Sequence, residues 1–391
     1  MFAADAVPGR VAAALASADR PICAYVYDTA ALRNRAAATR AALPAGADLF
    51  YAVKANGHPA VVDTLAGAVD GLEVASGGEL DLALGAGARR ITFSGPGKTD
   101  ADLRAAIDAG ALMHVESTHE LRRLALAAGD TTVSVALRVN RSTAELPGTH
   151  QMTGATTQFG IAEDELPVAV ALAAGLSAVD LVGFHLHAVS NNLDAAAHGA
   201  FAIEAARWAA TCADHHGVAL RYLNIGGGFG VDYLDMASFD LPALGAALAT
   251  AIDALPAGAR LVVEPGRFLA ADAGWYAAEV LDLKQTSGRW FAVLRGGTHH
   301  FRLPAAWGYS HPFAVLPVDR WDYPFARPEV SDVPVDAVGE LCTPRDVLAR
   351  GQRVGRLRVG DVLVFSRAGA YGWDISHHQF LRHPPPELVV L

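Results

Sequence analysis

Short runs of β-branched, aromatic and other apolar residues alternate with Ala/Leu-rich amphipathic stretches through the first two-thirds of the chain. The runs at 49–53, 72–75, 91–93, 112–115, 132–139, 181–186, 222–225 and 261–263 predict strands. Stretches such as 59–68, 78–84 and 197–215 between them predict helices. Parallel strands need helical crossovers, so eight strands alternating with helices predict an α/β fold of the (β/α)8, or TIM-barrel, type, with an open doubly wound sheet as the competitor. Past residue 273 the alternation stops. Segments 275–283, 290–294, 313–318, 333–338 and 362–365 predict strands joined by Gly/Pro turns, and so a C-terminal all-β domain. A further strand at 23–28 precedes the barrel and is expected to join that domain. The division expected is a barrel over 30–272 and a β-domain built from 1–29 and 273–391. Segment 141–158 is polar, turn-rich and long for a loop, which makes it a candidate lid or a plain surface insertion.

In a barrel the C-terminal ends of the strands face the active site, and here those ends are chemically distinctive. The first strand runs into Tyr51-Ala52-Val53-Lys54-Ala55-Asn56. A lysine closing an apolar strand is partly desolvated, which favours the neutral amine and makes Lys54 a candidate Schiff-base nucleophile; taken alone, such lysines usually just reach water. The sixth ends in His185-Leu186-His187-Ala188-Val189-Ser190. Two histidines at this spacing point the same way from a strand, as metal ligands, as a stacking partner for a flat cofactor, or as core residues satisfied by their neighbours. The seventh leads into Gly226-Gly227-Gly228-Phe229-Gly230, where missing side chains let backbone N–H groups converge on an anion. The eighth ends in Glu264-Pro265-Gly266-Arg267. These two pair with each other, or Arg267 grips a phosphate while Glu264 keeps a heterocyclic nitrogen protonated. In the β-domain, Cys342 lies in a polar Thr-Pro-Arg-Asp context, and Ala368-Gly369-Ala370-Tyr371-Gly372 follows.

Composition narrows the function. Hydrophobic residues make up 52% and charged ones 18%, enough for a large core. A net charge of −10 opposes a nucleic-acid partner. No apolar run reaches the ~18 residues of a membrane span, and the N-terminus lacks a basic stretch followed by an apolar one. Three scattered cysteines make neither a disulfide framework nor a CxxC metal site, and the 15 histidines do not group as ligands. The expectation is a cytoplasmic enzyme for a small molecule, without a metal.

In order along nearly the whole chain, YAVKAN, HxHxxS, GGGFG, EPGR, G-x-x-C-x-x-x-D and GAY resemble the fold-type III pyridoxal-phosphate decarboxylases, the ornithine/diaminopimelate decarboxylase family. The resemblance implies an alanine-racemase-like barrel with a β-domain, and pyridoxal 5'-phosphate as cofactor. It implies that Lys54 carries the cofactor and His187 stacks on its ring. Ser190, Gly227, Gly228, Arg267 and Tyr371 would hold the phosphate, and Glu264 the ring nitrogen. Cys342 and Asp346 would reach into the other site of a head-to-tail homodimer, with Cys342 as the acid that reprotonates Cα. A racemase would share the barrel and the lysine but needs a second acid/base at Cα, typically tyrosine. A catalytically dead homologue is opposed by the presence of both Lys54 and Cys342.

Two departures matter. The usual HIGS stretch reads His187-Ala188-Val189-Ser190, which removes a glycine near the phosphate. Thr343 follows Cys342, where diaminopimelate enzymes commonly carry Glu. The stretches Gly296-Gly297-Thr298-His299-His300-Phe301-Arg302 and Gly372-Trp373-Asp374-Ile375-Ser376-His377-His378 resemble the siderophore-biosynthesis branch, which acts on citryl-diaminopropionate-like intermediates. His299, His300, Arg302 and Arg345 are therefore expected at the substrate's carboxylates, with Asp346 beside them. The alternative substrate is diaminopimelate or another basic amino acid.

Overall fold

The computed structural model describes residues 7–391 except 142–145, 149, 153, 155 and 235, so part of the candidate lid at 141–158 lies outside the described residues. The chain divides into two compact units.

The unit spanning 32–232 and 236–269 is a closed barrel of eight parallel strands. They are Ala47–Ala52, Gly71–Val74, Ile91–Phe93, Leu112–Val115, Val133–Asn140, Val179–His185, Tyr222–Asn224 and Arg260–Val263. Ring closure comes from pairing of the last strand with the first, Leu261 opposite Ala47. The first strand is buried at every residue, as expected of a strand covered on both faces. Local sequence restarts the helices after the strands. Ser76 and Ser117 each accept the N–H of the glutamate three residues on, and Thr99 forms a reciprocal capping box with Asp102. Each cap contributes ~1 kcal/mol, so strand ends and helix starts hold register at the barrel mouth.

The other unit comprises 1–31, 233–235 and 270–391. Its sheet runs in the order Ala314–Leu316, Val362–Phe365, Gly274–Thr286, Arg289–Leu294, Glu329–Val338, Val347–Arg358. Strand Cys23–Tyr27 joins it antiparallel to Gly274–Thr286, and Glu387–Val390 adds in parallel to Cys23–Tyr27. Helix Gly9–Ala16 covers this corner by burying Val11 and Leu15 against Ile22, Val26, Trp275 and Val364. Two of these strands were not read from sequence. Val347–Arg358 carries four arginines and two glycines, which mask the pattern in which Leu348, Val354 and Leu357 turn inward. Glu387–Val390 has too few residues to show a period.

Among the described residues, no helix is long and apolar enough to cross a membrane.

Candidate active site

Seven expected cofactor residues gather at the C-terminal end of the barrel strands. Lys54 lies in the single 3-10 turn Val53–Ala55 that follows the first strand. Its Nζ is 2.6 Å from Oε2 of Glu73, a side chain only 1% exposed on the second strand. Glu264 is buried beyond the eighth strand, and its carboxyl is raised to about 8, by burial first and then by the neighbouring Glu73. Its Oε1 accepts from Asn224 Nδ2 at 2.5 Å and Thr92 Oγ1 at 3.3 Å, while Oε2 lies 3.8 Å from His185 Nε2. Arg267 opens helix Arg267–Ala270 and is 4% exposed. Ser190 closes the two-residue strand Val189–Ser190, which pairs with His150–Gln151; the HIGS glycine that is missing here is thus replaced by a paired valine.

The glycine run is shaped by its neighbours. Gly226 sits at φ 72°, and a Cβ there would overlap the His187 imidazole. The Gly227 N–H donates to His187 Nδ1 at 3.2 Å, so this nitrogen is an acceptor and the ring is neutral with its proton on Nε2. A Cβ on Gly227 would strike the Glu264 carbonyl. Gly226 N–H is likewise taken, by Asn224 Oδ1 at 2.7 Å. The Gly228 N–H is the one of the three that no protein group accepts, among the described residues. The cradle is therefore narrower than its glycine count suggests. Two N–H groups hold His187 and Asn224, and one is left for an anion.

His185 settles inward. It is 2% exposed, its ring lies 4.1 Å from that of His114, and burial with nearby cations holds both rings neutral, well below the usual histidine range. Burial also holds His198 and His311 at about 4. These depressed values set a pH dependence. Below pH ~6.5 the unfolded chain binds protons that the folded one refuses, so stability is present above that value and is lost as pH falls toward 4. His198 and His311 each contribute about 3 kcal/mol to that loss at the acid end. Glu264 acts oppositely: its raised value makes stability fall as pH rises from about 4.5 to 8. The expected result is an unfolding midpoint that drops steeply from pH 6.5 to 4. A flat profile in thermal melts would show that these imidazoles are not buried in neutral form.

Sequence reading missed Glu73, Arg138, Asn224 and His114. Each ends or nearly ends a barrel strand, the signal that was available, but none lies in a conspicuous motif. Arg138 is buried against Glu116 at 2.8 Å.

The β-unit holds the expected substrate residues. A cavity of about 900 Å³ is lined by Arg302, Arg345 and Arg350 together with Thr298, Tyr309 and His377. Neither Arg302 nor Arg345 faces a carboxylate among the described residues. Among the described residues, His377 Nδ1 is buried without a hydrogen-bond partner, and burial and Arg302 lower its affinity for a proton. His299 and His300 lie deeper, fully buried. Burial holds them at about 4 and about 2, so they are neutral and offer no cation to a carboxylate. His300 Nδ1 is 3.4 Å from Cys23 Sγ, and its carbonyl accepts from Tyr25 Oη. Asp346 is also turned inward. Its carboxylate accepts the N–H groups of Thr298 at 2.6 Å and Leu341 at 2.8 Å, tying two loops together. Cys342 is exposed in the second of these loops, and Tyr371 sits at φ 54° with its ring 6.0 Å from Trp307.

Residues 29–271 match the family described as pyridoxal-dependent decarboxylase, pyridoxal binding domain. The chain belongs to this family. The decarboxylase is 40% identical over 383 residues to the 2-[(L-alanin-3-ylcarbamoyl)methyl]-2-hydroxybutanedioate decarboxylase of Staphylococcus aureus, with 96% of each chain covered. It is 32% identical to the diaminopimelate decarboxylase of Aquifex aeolicus, over 94% of this chain and 86% of that one. The Helicobacter pylori diaminopimelate decarboxylase structure shares the fold, with a TM-score of 0.84 at 24% identity over 95% of this chain and 92% of that one. The barrel residues fit pyridoxal phosphate: an amine at Lys54, a flat neutral ring at His187, and, among the described residues, an open N–H at Gly228 and a buried carboxyl at Glu264 whose Oε2 is not held by a donor.

Proposed function

We propose that this decarboxylase removes CO2 from an amino acid whose far end carries citrate-derived carboxylates, a step in assembling a carboxylate siderophore. The observation that carries the reading is the convergence of Arg302, Arg345 and Arg350 on one cavity, without a carboxylate opposite the first two. The substrate in the name of the Staphylococcus aureus relative has this chemistry, a hydroxybutanedioate joined through an amide to the alanine that is decarboxylated. A diaminopimelate far end would instead be a zwitterion, one ammonium beside one carboxylate, and would offer the three arginines no net negative charge.

Pyridoxal phosphate, when bound, supplies the electron sink for the pair left at Cα as CO2 departs. In this reading Lys54 would hold the cofactor through its side-chain amine. His187 would pack on the ring face, Glu264 would face the ring nitrogen, and Ser190, Gly227, Gly228, Arg267 and Tyr371 would hold the phosphate, Gly227 through the ring of His187 to which it donates. Glu73 keeps the Lys54 ammonium in place. Cys342, exposed on its loop, delivers the proton that replaces CO2 at Cα of a partner copy's substrate, which makes the working form a head-to-tail homodimer. Asp346 supports that loop. Free cysteines accord with a cytoplasmic enzyme.

The test is CO2 release, with mass detection of the product amine, from the citrate-derived amide of 3-aminoalanine, diaminopimelate, ornithine and lysine. Turnover of the first alone is expected, and preference for diaminopimelate would reverse the assignment. Arg302→Ala and Arg345→Ala are each expected to raise KM for the citrate-derived substrate roughly 10- to 100-fold with kcat little changed, the worth of a charge-assisted hydrogen bond. An unchanged KM removes that arginine from the site.

A further inference from the structure

The direction of the hydrogen bonds that link the glycine run to Glu264 follows from one backbone group. The Gly226 N–H can only donate, so the Asn224 side-chain atom 2.7 Å away is its oxygen, and the amide orientation is settled. Asn224 Nδ2 must then donate both its protons, to Glu264 Oε1 at 2.5 Å and to Tyr222 Oη at 2.8 Å. Tyr222 therefore accepts from Asn224, and the acceptor within reach of its own proton is His114 Nε2, at 2.9 Å. His114 in turn carries its proton on Nδ1 and donates to Ser94 Oγ at 2.7 Å. Asn224, His114 and Ser94 are at most 4% exposed, so water does not compete for these bonds. One polarity runs through five groups from the glycine cradle to the third strand.

We propose that Asn224 is a positioning residue for the decarboxylation: it holds Glu264 Oε1 as an acceptor only, so that the proton shared with a ring nitrogen lies on the Oε2 side. Tyr222, His114 and Ser94 keep the amide from turning over. The inference rests on the reading of this site as a pyridoxal-phosphate site. It adds a reason for the cradle's shape, since the same amide ties the glycine run to the carboxylate. The charged and titratable groups facing Glu264 are Glu73 from the second strand, Lys54 beyond the first, His185 from the sixth and Tyr222 from the seventh. Of these, Glu73 raises the carboxyl and Lys54 lowers it, as does the Asn224 hydrogen bond. Removing Asn224 should therefore move the titration of the site upward in pH.

The experiment uses the cofactor-loaded wild type, Asn224→Ala and Tyr222→Phe. The visible band is titrated with pH, cofactor affinity is measured on the stripped proteins, and kcat and KM are separated. For Asn224→Ala the expected results are an upward shift of the band's titration midpoint, at least about tenfold weaker kcat and a KM within about threefold of wild type. Tyr222→Phe should shift the midpoint the same way by less, because the amide loses one of its three anchors. A residue that only braces the fold would lower the unfolding midpoint and leave the band's titration in place, and that result overturns the proposal. Should Asn224→Ala not fold, Tyr222→Phe decides alone: a titration superimposable on wild type sinks the proposal. A wild type that takes up no cofactor sinks the underlying reading instead, and is recognised before either variant is compared.

Discussion

Lys54→Ala is expected to lose essentially all CO2 release, about 10⁴-fold or more, together with the visible absorbance that appears when cofactor is added. No other barrel residue combines an amine with the mouth of the first strand, and covalent attachment needs that amine. The substitution has a second effect that must be kept apart from the first. It leaves the Glu73 carboxylate, 1% exposed, without its ammonium at 2.6 Å. Because the Lys54 side chain is itself 42% exposed, solvent screens that loss, and the fold should survive it. Lys54→Arg separates the two effects. It keeps a cation beside Glu73 and restores thermal stability, yet remains silent in both assays because a guanidinium does not form the bond. Substantial turnover by either variant, measured as CO2, would remove Lys54 from its role.

Glu264→Gln is expected to lower kcat roughly 10²- to 10³-fold, the size seen when one preorganised electrostatic partner is taken from a reaction centre. The change is nearly isosteric, and an amide oxygen can still accept from Asn224 and Thr92, so packing is kept. What goes is the charge that answers a protonated ring nitrogen. Cofactor uptake should persist and KM should move little, because neither the anchoring lysine nor the arginine cavity is altered. If steady-state rates show kcat within about threefold of wild type, Glu264 does not govern the electron sink.

The barrel was legible because burial on both faces forces short β-branched runs, and capping residues such as Ser76, Thr99 and Ser117 restart the helices between them. Lys54, His187 and Glu264 were legible because they sit in compact motifs at strand ends. Asn224 sits in the same stretch of chain, yet its role depends on where Gly226, Tyr222 and Glu264 meet in space, which no spacing reveals. The β-unit was harder. His299 and His300 share one polar stretch with Arg302, and Asp346 shares another with Arg345, and linear sequence cannot say which of them face inward. The structure divides them by burial: the two histidines are neutral and enclosed, Asp346 binds backbone N–H groups, and the arginines line the cavity. Arg350 and His377, which join them there, come from a strand masked by arginines and from a loop far along the chain.

The most direct measurement is borohydride reduction of the purified protein after incubation with pyridoxal phosphate, followed by peptide mass mapping. The account predicts that the peptide containing Lys54 alone carries the mass of the reduced cofactor. An unmodified Lys54, or a coenzyme fixed to a different side chain, would contradict it.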